Sequence, residues 1–245
     1  MKIKKTIFHQ ITAKLLFVSK RGRPDIQVAV AFLTTRVTGP DSDDWNKLAR
    51  LMRYIRSTID LTLTLSASNF NAIKWWVDAS YAVHPNMRGH TGATMTLGKG
   101  SICSMSSKQK INARSSTESE LIGMNDVLEQ ILWARNFLTD QGYNLKPSTV
   151  MQDNKSAMLL ENNGILSSSK RTKHINVRYY FIKDNIEREE INVIYCPTGE
   201  MVGDFFTKPL QGSQFIKFRN AIMGVSHSDC IAKERVEETA AQKPL

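Results

Sequence analysis

Cysteine is scarce in this chain: Cys103, Cys196 and Cys230 stand far apart along 245 residues. None of them has the close spacing that holds zinc, and an odd number argues against a disulfide framework, so a reducing, intracellular setting is expected. Long apolar runs are missing as well, since no stretch reaches the roughly 18 residues of a membrane span. The opening Met-Lys-Ile-Lys-Lys leads into Thr-Ile-Phe-His-Gln and not into an apolar signal core, so a soluble chain with no membrane partner is expected. Acidic residues are in deficit, 23 Asp and Glu against 33 Lys and Arg, which gives a net charge of +10. That balance suits a polyanionic partner whose phosphates the cations neutralise.

The length allows one sizeable core and a smaller satellite. Residues 1–60 hold 12 Lys or Arg and 5 Asp or Glu, so much of the basic excess lies there. Trp45, Leu48, Leu51, Met52 and Ile55 recur at helical spacing, with Lys47, Arg50, Arg53 and Arg56 on another face and Asp41 to Asp44 at the helix start. An earlier helix is expected from Pro24, with Ile26, Ala29, Val30 and Leu33 on one face. Beyond about residue 71 the pattern changes to short strands. Ile73 to Asp78, Ala93 to Leu97 and Ser101 to Met105 form an antiparallel succession, the last two joined by Gly98-Lys99-Gly100 as a hairpin turn. A long helix follows from Ser115 or Ser116 to near Gly142, through Leu121, Met124, Leu128, Ile131, Leu132 and Phe137. Strand Thr149 to Gln152, helices Ser156 to Glu161 and Lys173 to Glu187, strand Ile191 to Cys196, and terminal helices at Asp204 to Leu210 and Phe215 to Met223 complete the pattern. This predicts an α/β layer fold with a mixed five-stranded sheet flanked by helices, preceded by a small helical segment. The divisions are 1–66, 67–225, and a polar tail, 226–245, expected to be disordered.

Four acids carry the chemistry. Asp78 follows Trp75-Trp76-Val77 and Asp153 follows Val150-Met151-Gln152, so neighbouring strands would bring the two together. Glu118 and Glu120 lie in the first turns of the long helix, and residues two apart do not share a face. Glu118 is three residues after Ser115 and suits a capping box, which leaves Glu120 as the favoured metal ligand. Asp204 would start a helix, as an N-cap or as a mobile ligand. Two divalent ions held by such carboxylates can activate a water and stabilise the leaving oxygen of a phosphodiester, and oxygen-only ligands suit Mg2+, with Mn2+ as a substitute.

With these blocks in place the chain resembles the C-terminal part of the Pol polyprotein of copia-type LTR retrotransposons, the end of reverse transcriptase and its ribonuclease H domain. The resemblance rests on Arg23-Pro24-Asp25-Ile26 and Tyr54-Ile55-Arg56-Ser57-Thr58, Val77-Asp78-Ala79, and Ser106-Ser107-Lys108-Gln109 with Ser115-Ser116-Thr117-Glu118-Ser119-Glu120. Asp153-Asn154-Lys155-Ser156-Ala157, Arg171-Thr172-Lys173-His174-Ile175 and Gly203-Asp204-Phe205-Phe206-Thr207-Lys208-Pro209-Leu210 complete it. It implies a ribonuclease H-like fold over 67–225, a thumb-to-connection segment over 1–66, and hydrolysis of the RNA strand of RNA–DNA hybrids. It also implies metal binding by Asp78, Glu120, Asp153 and Asp204, an upstream reverse transcriptase portion as partner, and a cytoplasmic particle or nuclear location. Ser80 and Tyr180 depart from an acid and a His common in the family, and no His precedes Asp204 to shuttle a proton. No Tyr-X-Asp-Asp polymerase motif occurs, and Asp43-Asp44 is explained as a helix start.

For nucleic-acid contact the cluster Lys170, Arg171, Lys173 and Arg178 offers phosphate-binding charge, and Asn154 could contact a sugar hydroxyl. His174 reads as structural, and Trp75, Trp76 and Trp133 read as core residues. An inactive fragment that still grips nucleic acid is the alternative to the enzyme.

Overall fold

The computed structural model describes residues 2–68, 70–163 and 173–225, so Lys170, Arg171 and the tail 226–245 lie outside the described residues. The chain opens with α1 (Lys2–Arg21), a 3-10 turn at Pro24–Ile26, α2 (Gln27–Thr34) and α3 (Ser42–Ser57). Pro24 does start a helical segment, but as a 3-10 turn that feeds α2. Asp41 caps α3 by accepting from Asp44 N at 2.8 Å, and Asp44 Oδ2 accepts from Asp41 N at 3.1 Å. Phe8, Ile26, Val30, Leu33, Leu48 and Leu51 form the core of this layer. Met52, expected on the inward face, is 45% exposed, because the contact of α3 with the layer is a narrow stripe through Leu48, Leu51 and Ile55.

The sheet contains β2 (Lys74–Ser80), β3 (His90–Thr96), β5 (Cys103–Lys108), β6 (Ser148–Gln152) and β7 (Ile191–Tyr195), in the order β5-β3-β2-β6-β7. β2 runs antiparallel to β3 and parallel to β6, so the sheet is mixed. The expected hairpin turn at Gly98-Lys99-Gly100 is more than a turn. Gly98–Lys99 forms a short strand, β4, paired with β1 (Ser66–Ala67), because the excursion between β3 and β5 is long enough to reach back to the connector. Gly100 has φ +70°, and a Cβ there would lie 2.4 Å from Thr64 O.

β2 is covered on both faces, which fits its apolar run. On one face Trp75, Val77, Ala93 and Val150 meet Leu121, Met124, Val127, Leu128 and Ile131 of α4 (Ser116–Asp140). On the other, Trp76 and Met151 meet Phe205 and Phe206 of the 3-10 turn Val202–Phe206, and Phe218 and Ile222 of α7 (Gly212–Ile222). Each fully buried side chain of this size contributes roughly 1.5–3 kcal/mol.

Two sequence expectations need correction. Trp133 is not core: it is 67% exposed on α4 and stacks on Phe137, with ring centroids 5.5 Å apart. The two are four residues apart and meet on the helix's outer face. Asp204 to Leu210 is not an α-helix, since Pro209 disfavours helical backbone at Lys208 and the segment closes as a 3-10 turn instead. α5 (Lys155–Asn163) and α6 (Lys173–Glu187) lie where expected. No helix among the described residues is long and apolar enough to cross a membrane.

The helical layer packs against the outer strand β5. Gln27 Nε2 and Lys20 Nζ each donate to Ser104 O at 3.1 Å. They occupy an edge carbonyl that would otherwise invite another strand.

Candidate active site

The parallel pairing of β2 with β6 reaches Trp76 opposite Met151. Asp78 and Asp153 each stand two residues further on, so the two-residue period of a strand sets them side by side on one face. As the chain leaves β6, Gln152 Oε1 accepts from Asp153 N at 2.9 Å and from Asn154 N at 3.1 Å. Asn154 Oδ1 then accepts from Ala157 N at 3.0 Å and caps α5, so this oxygen serves the turn that presents Asp153.

Glu120 arrives from α4, on the opposite side of the sheet. Ser115 caps the helix by accepting from Glu118 N at 3.2 Å, and Glu118 Oε2 turns back to accept from Arg114 N at 2.8 Å. Glu118 is therefore engaged at the helix start, and Glu120 faces the strand ends. One carboxylate oxygen from each of Asp78, Glu120 and Asp153 lies within 4.8 Å of the other two. Gln109 fixes the first turns of α4 in this orientation. Its Nε2 donates to Ser119 O at 2.9 Å and to Thr91 Oγ1 at 3.2 Å, while Ser119 Oγ donates to Gln109 Oε1 at 3.1 Å.

Asp204 sits in the 3-10 turn at the rim of this trio. Its Oδ1 accepts from Lys208 Nζ at 2.6 Å, and the same Nζ is 3.7 Å from Asp78 Oδ1. Thr207 Oγ1 donates to Asp78 Oδ2. The turn is held from behind by a chain of polar contacts. Ser106 Oγ donates to Phe206 O at 2.8 Å, so it accepts from His90 Nε2, also at 2.8 Å. His90 Nδ1 is then left to accept from His84 Nε2 at 3.0 Å. Burial, and next the His84 charge, bring the His90 pKa down to about 4, which keeps the ring neutral as this donor order requires.

The cluster is overloaded with negative charge. Burial first, then the charges of Asp78 and Asp153, raise the Glu120 pKa well above the usual carboxylate range. Burial and Asp78 raise Asp153. Burial and Asp78 likewise push Asp204 up to about 7, against the pull of Lys208. For Lys208 burial acts downward, but Asp78 and Asp204 together outweigh it and its pKa rises. Glu120 Oε2 and Gln152 Nε2 are buried with neither in a hydrogen bond of good geometry, although Gln152 lies near enough to offset part of the rise in the Glu120 pKa. An acceptor left in that state costs about 1–3 kcal/mol, which a bound cation would recover. An all-oxygen donor set with an orphaned carboxylate oxygen fits a hard divalent ion such as Mg2+ or Mn2+.

Other predicted contact residues are placed differently. Arg178 lies on α6 with its Nη1 buried and unpartnered, close enough to Asp126 of α4 to oppose the upward push that burial gives that acid. Lys173 begins α6. Sequence reasoning assigned no role to Lys208, Thr207, Gln109 or Gln152. The four-residue step from Asp204 to Lys208 was a usable signal, whereas the bond from Thr207 to Asp78 joins positions 129 apart and leaves no local pattern.

No family model matches the chain. The chain is 30% identical over 212 residues to the retrovirus-related Pol polyprotein from transposon TNT 1-94 of Nicotiana tabacum, a match that covers 86% of this chain and 16% of that protein. It is 32% identical over 202 residues to the Pol polyprotein from transposon RE2 of Arabidopsis thaliana, covering 82% of this chain and 14% of that one. The chain thus spans about one sixth of each of these two polyproteins. Among solved structures it is similar to the foamy viral protease-reverse transcriptase in complex with RNA/DNA hybrid, with TM-score 0.50 and 14% identity over 85% of this chain and 26% of that one. It is also similar to LC11-RNase H1, with TM-score 0.42 and 15% identity over 56% of this chain and 92% of that one.

Proposed function

The chain belongs to the retrovirus-related Pol polyproteins of copia-type transposons and has a ribonuclease H-like fold, and from that premise we propose that it hydrolyses the RNA strand of RNA–DNA hybrids with divalent metal. The observation that carries the reading is the meeting of Asp78, Glu120 and Asp153, drawn from two strands and a helix, with Asp204 at their rim. Two Mg2+ ions held there, or Mn2+ in their place, would activate the attacking water and stabilise the leaving 3′ oxygen. The protein's own work is positional. Asp78, Glu120 and Asp153 supply the first oxygens, Thr207 fixes the orientation of Asp78, and Gln152 shapes the turn that aims Asp153. Asp204, bonded to Lys208 at the rim, would be the fourth ligand to such ions.

For the hybrid, Lys170, Arg171 and Lys173 are assigned to backbone phosphates, with Arg178 as a supporting charge because its Nη1 is buried toward Asp126, and Asn154 is assigned to a sugar hydroxyl through its amide nitrogen, since its oxygen caps α5. The upstream reverse transcriptase portion of the longer polyprotein is the proposed protein partner.

The test is cleavage of a labelled RNA–DNA hybrid with Mg2+ or Mn2+, beside duplex DNA and an Asp153→Asn variant. We expect metal-dependent cleavage of the RNA strand, reduced at least a thousandfold in the variant, with hybrid binding kept. Equal cleavage by wild type and variant would remove the assignment, and binding without cleavage by wild type would leave a nucleic-acid-binding protein.

A further inference from the structure

A groove of about 750 Å3 opens between the helical layer and the segment that carries Asp204. Phe32, Lys47, Arg50 and Tyr54 line it from α2 and α3, and Lys208 to Gly212 with Phe215 line it from the other side. Lys208 belongs to both places: its stem lines the groove while its Nζ reaches Asp204 and Asp78. None of the four acids lines the groove, which meets their cluster through Lys208.

Its charge is of one sign. Asp25 is the one carboxylate among the lining residues, and its buried side chain is taken up by Arg23, through two bonds of 2.8 Å, and by Tyr54 Oη at 2.8 Å. Arg50 is exposed and makes no ion pair among the described residues. Lys47 pairs with Asp43 and lies 4.6 Å from the ring centre of Phe32. Phe32 is 40% exposed, and Tyr54 and Phe215 are half-buried, with the latter two in edge contact. Lys47 and Lys208 are paired with acids, so Arg50 is the exposed lining cation without an ion pair among the described residues, and Phe215 stacks on Phe205 at 5.2 Å, which leaves Phe32 and Tyr54 as the rings for bases. A cation and aromatic rings are the two elements that grip single-stranded nucleic acid, the first through phosphates and the second through stacked bases. A space of this volume encloses a small ligand or a short stretch of one strand, and a duplex is far too wide to enter.

We propose that the groove binds an unpaired polynucleotide strand that continues from a hybrid seated at the carboxylate cluster. The proposal rests on the hybrid-cleaving function above for its orientation, and it gives the helical layer a part in substrate binding. RNA and DNA share the chemistry that the groove reads, so the strand is identified by experiment.

The measurement is fluorescence anisotropy in EDTA with a blunt hybrid, the same hybrid extended by an unpaired RNA or DNA stretch at each end in turn, and a free single strand. One or more extended hybrids are expected to bind at least about fivefold tighter than the blunt one, the low end of what a stacked base contributes. Arg50→Glu and Phe32→Ala are expected to erase that advantage and leave blunt-hybrid affinity and cleavage unchanged. Loss of blunt and extended binding alike in Arg50→Glu overturns the proposal, because the residue then serves the duplex. No advantage for any extension overturns it as well, as does self-association of the wild type that Arg50→Glu abolishes, since the groove then belongs to a second copy. If the blunt hybrid is neither bound nor cleaved, the free strand still decides: binding sensitive to Arg50→Glu upholds the groove apart from the ribonuclease reading, and insensitive or absent binding ends it.

Discussion

The ammonium of Lys208 is the positive charge set among the acids, 2.6 Å from Asp204 Oδ1 and 3.7 Å from Asp78 Oδ1. In the metal-free protein it relieves part of the repulsion that raises Glu120, Asp153 and Asp204. A divalent ion that recruits Asp204 must compete with it, so Lys208→Met should tighten Mn2+ binding in the absence of nucleic acid. The ammonium is partly exposed, which limits the effect to roughly three- to tenfold. Titration calorimetry with Mn2+ checks this, and an unchanged or weaker affinity would show that Lys208 supports the ligands and does not stand in for the ion. Sequence could supply Asp78 and Asp153 because each closes an apolar run, and Glu120 because it lies in the first turns of a helix, whereas Asp204 was expected at a helix start and lies within a 3-10 turn. Sequence could not supply Lys208 a role, since that role depends on where a 3-10 turn aims the side chain.

The turn Val202–Phe206 is the element on which the site depends most, and it is wedged against β3. A Cβ at Gly92 would fall 2.6 Å from Thr207 Cγ2, 2.8 Å from Phe206 Cβ and 2.9 Å from the Phe206 carbonyl carbon. Two of these atoms are backbone or next to it and cannot swing aside, so Gly92→Ala must displace the turn. We expect a stability loss of about 1–3 kcal/mol and a drop in hybrid cleavage of more than tenfold. Gly22→Ala, where a Cβ meets nothing within 4 Å, is the control and should change neither. Thermal melts and cleavage rates of the two variants decide it; full activity in Gly92→Ala would mean that the turn can move without cost to the site. Periodicity was enough to locate α3, α4 and the five strands, but β3 starts three residues before the expected Ala93 and β5 runs three residues beyond the expected Met105, because His90-Thr91-Gly92 and Ser106-Ser107-Lys108 are polar. It failed at Asp204 to Leu210, where one proline outweighs the local pattern, and at Trp133, where an aromatic residue in an apolar run faces outward. It also failed at Gly98–Lys99, whose partner strand lies more than 30 residues earlier.

Across the whole molecule a polar network inside the helical layer holds the groups that cross to the rest of the fold, Tyr54 against Phe215 and Gln27 and Lys20 on Ser104 O. Arg23 meets Asp25 through two bonds of 2.8 Å and donates to Thr58 Oγ1 at 2.7 Å, which ties the Pro24 turn to the end of α3. Tyr54 Oη donates to Asp25, and the Tyr54 ring meets Phe215 of α7 at 5.9 Å. Burial, then the Asp25 charge, raise the Tyr54 pKa to about 12, so the phenol stays a donor throughout the accessible pH range. At the other side Gln27 and Lys20 occupy Ser104 O of the edge strand. Coupling of this kind predicts that both parts unfold together, with calorimetric and van't Hoff enthalpies equal. Asp25→Ala strips Arg23 and Tyr54 of their shared acceptor, and breaking a buried pair from one side costs about 3–5 kcal/mol. In a single cooperative unit that loss lowers the one midpoint for all probes, including the near-ultraviolet signal of Trp75 and Trp76 of the sheet, read in a Trp45→Phe background because Trp45 belongs to the helical layer. If the helical layer were only appended, the variant would instead show an early transition of its own while the sheet melted at the wild-type temperature. Differential scanning calorimetry of Asp25→Ala beside the parent therefore separates the two arrangements, and we expect the single lowered midpoint.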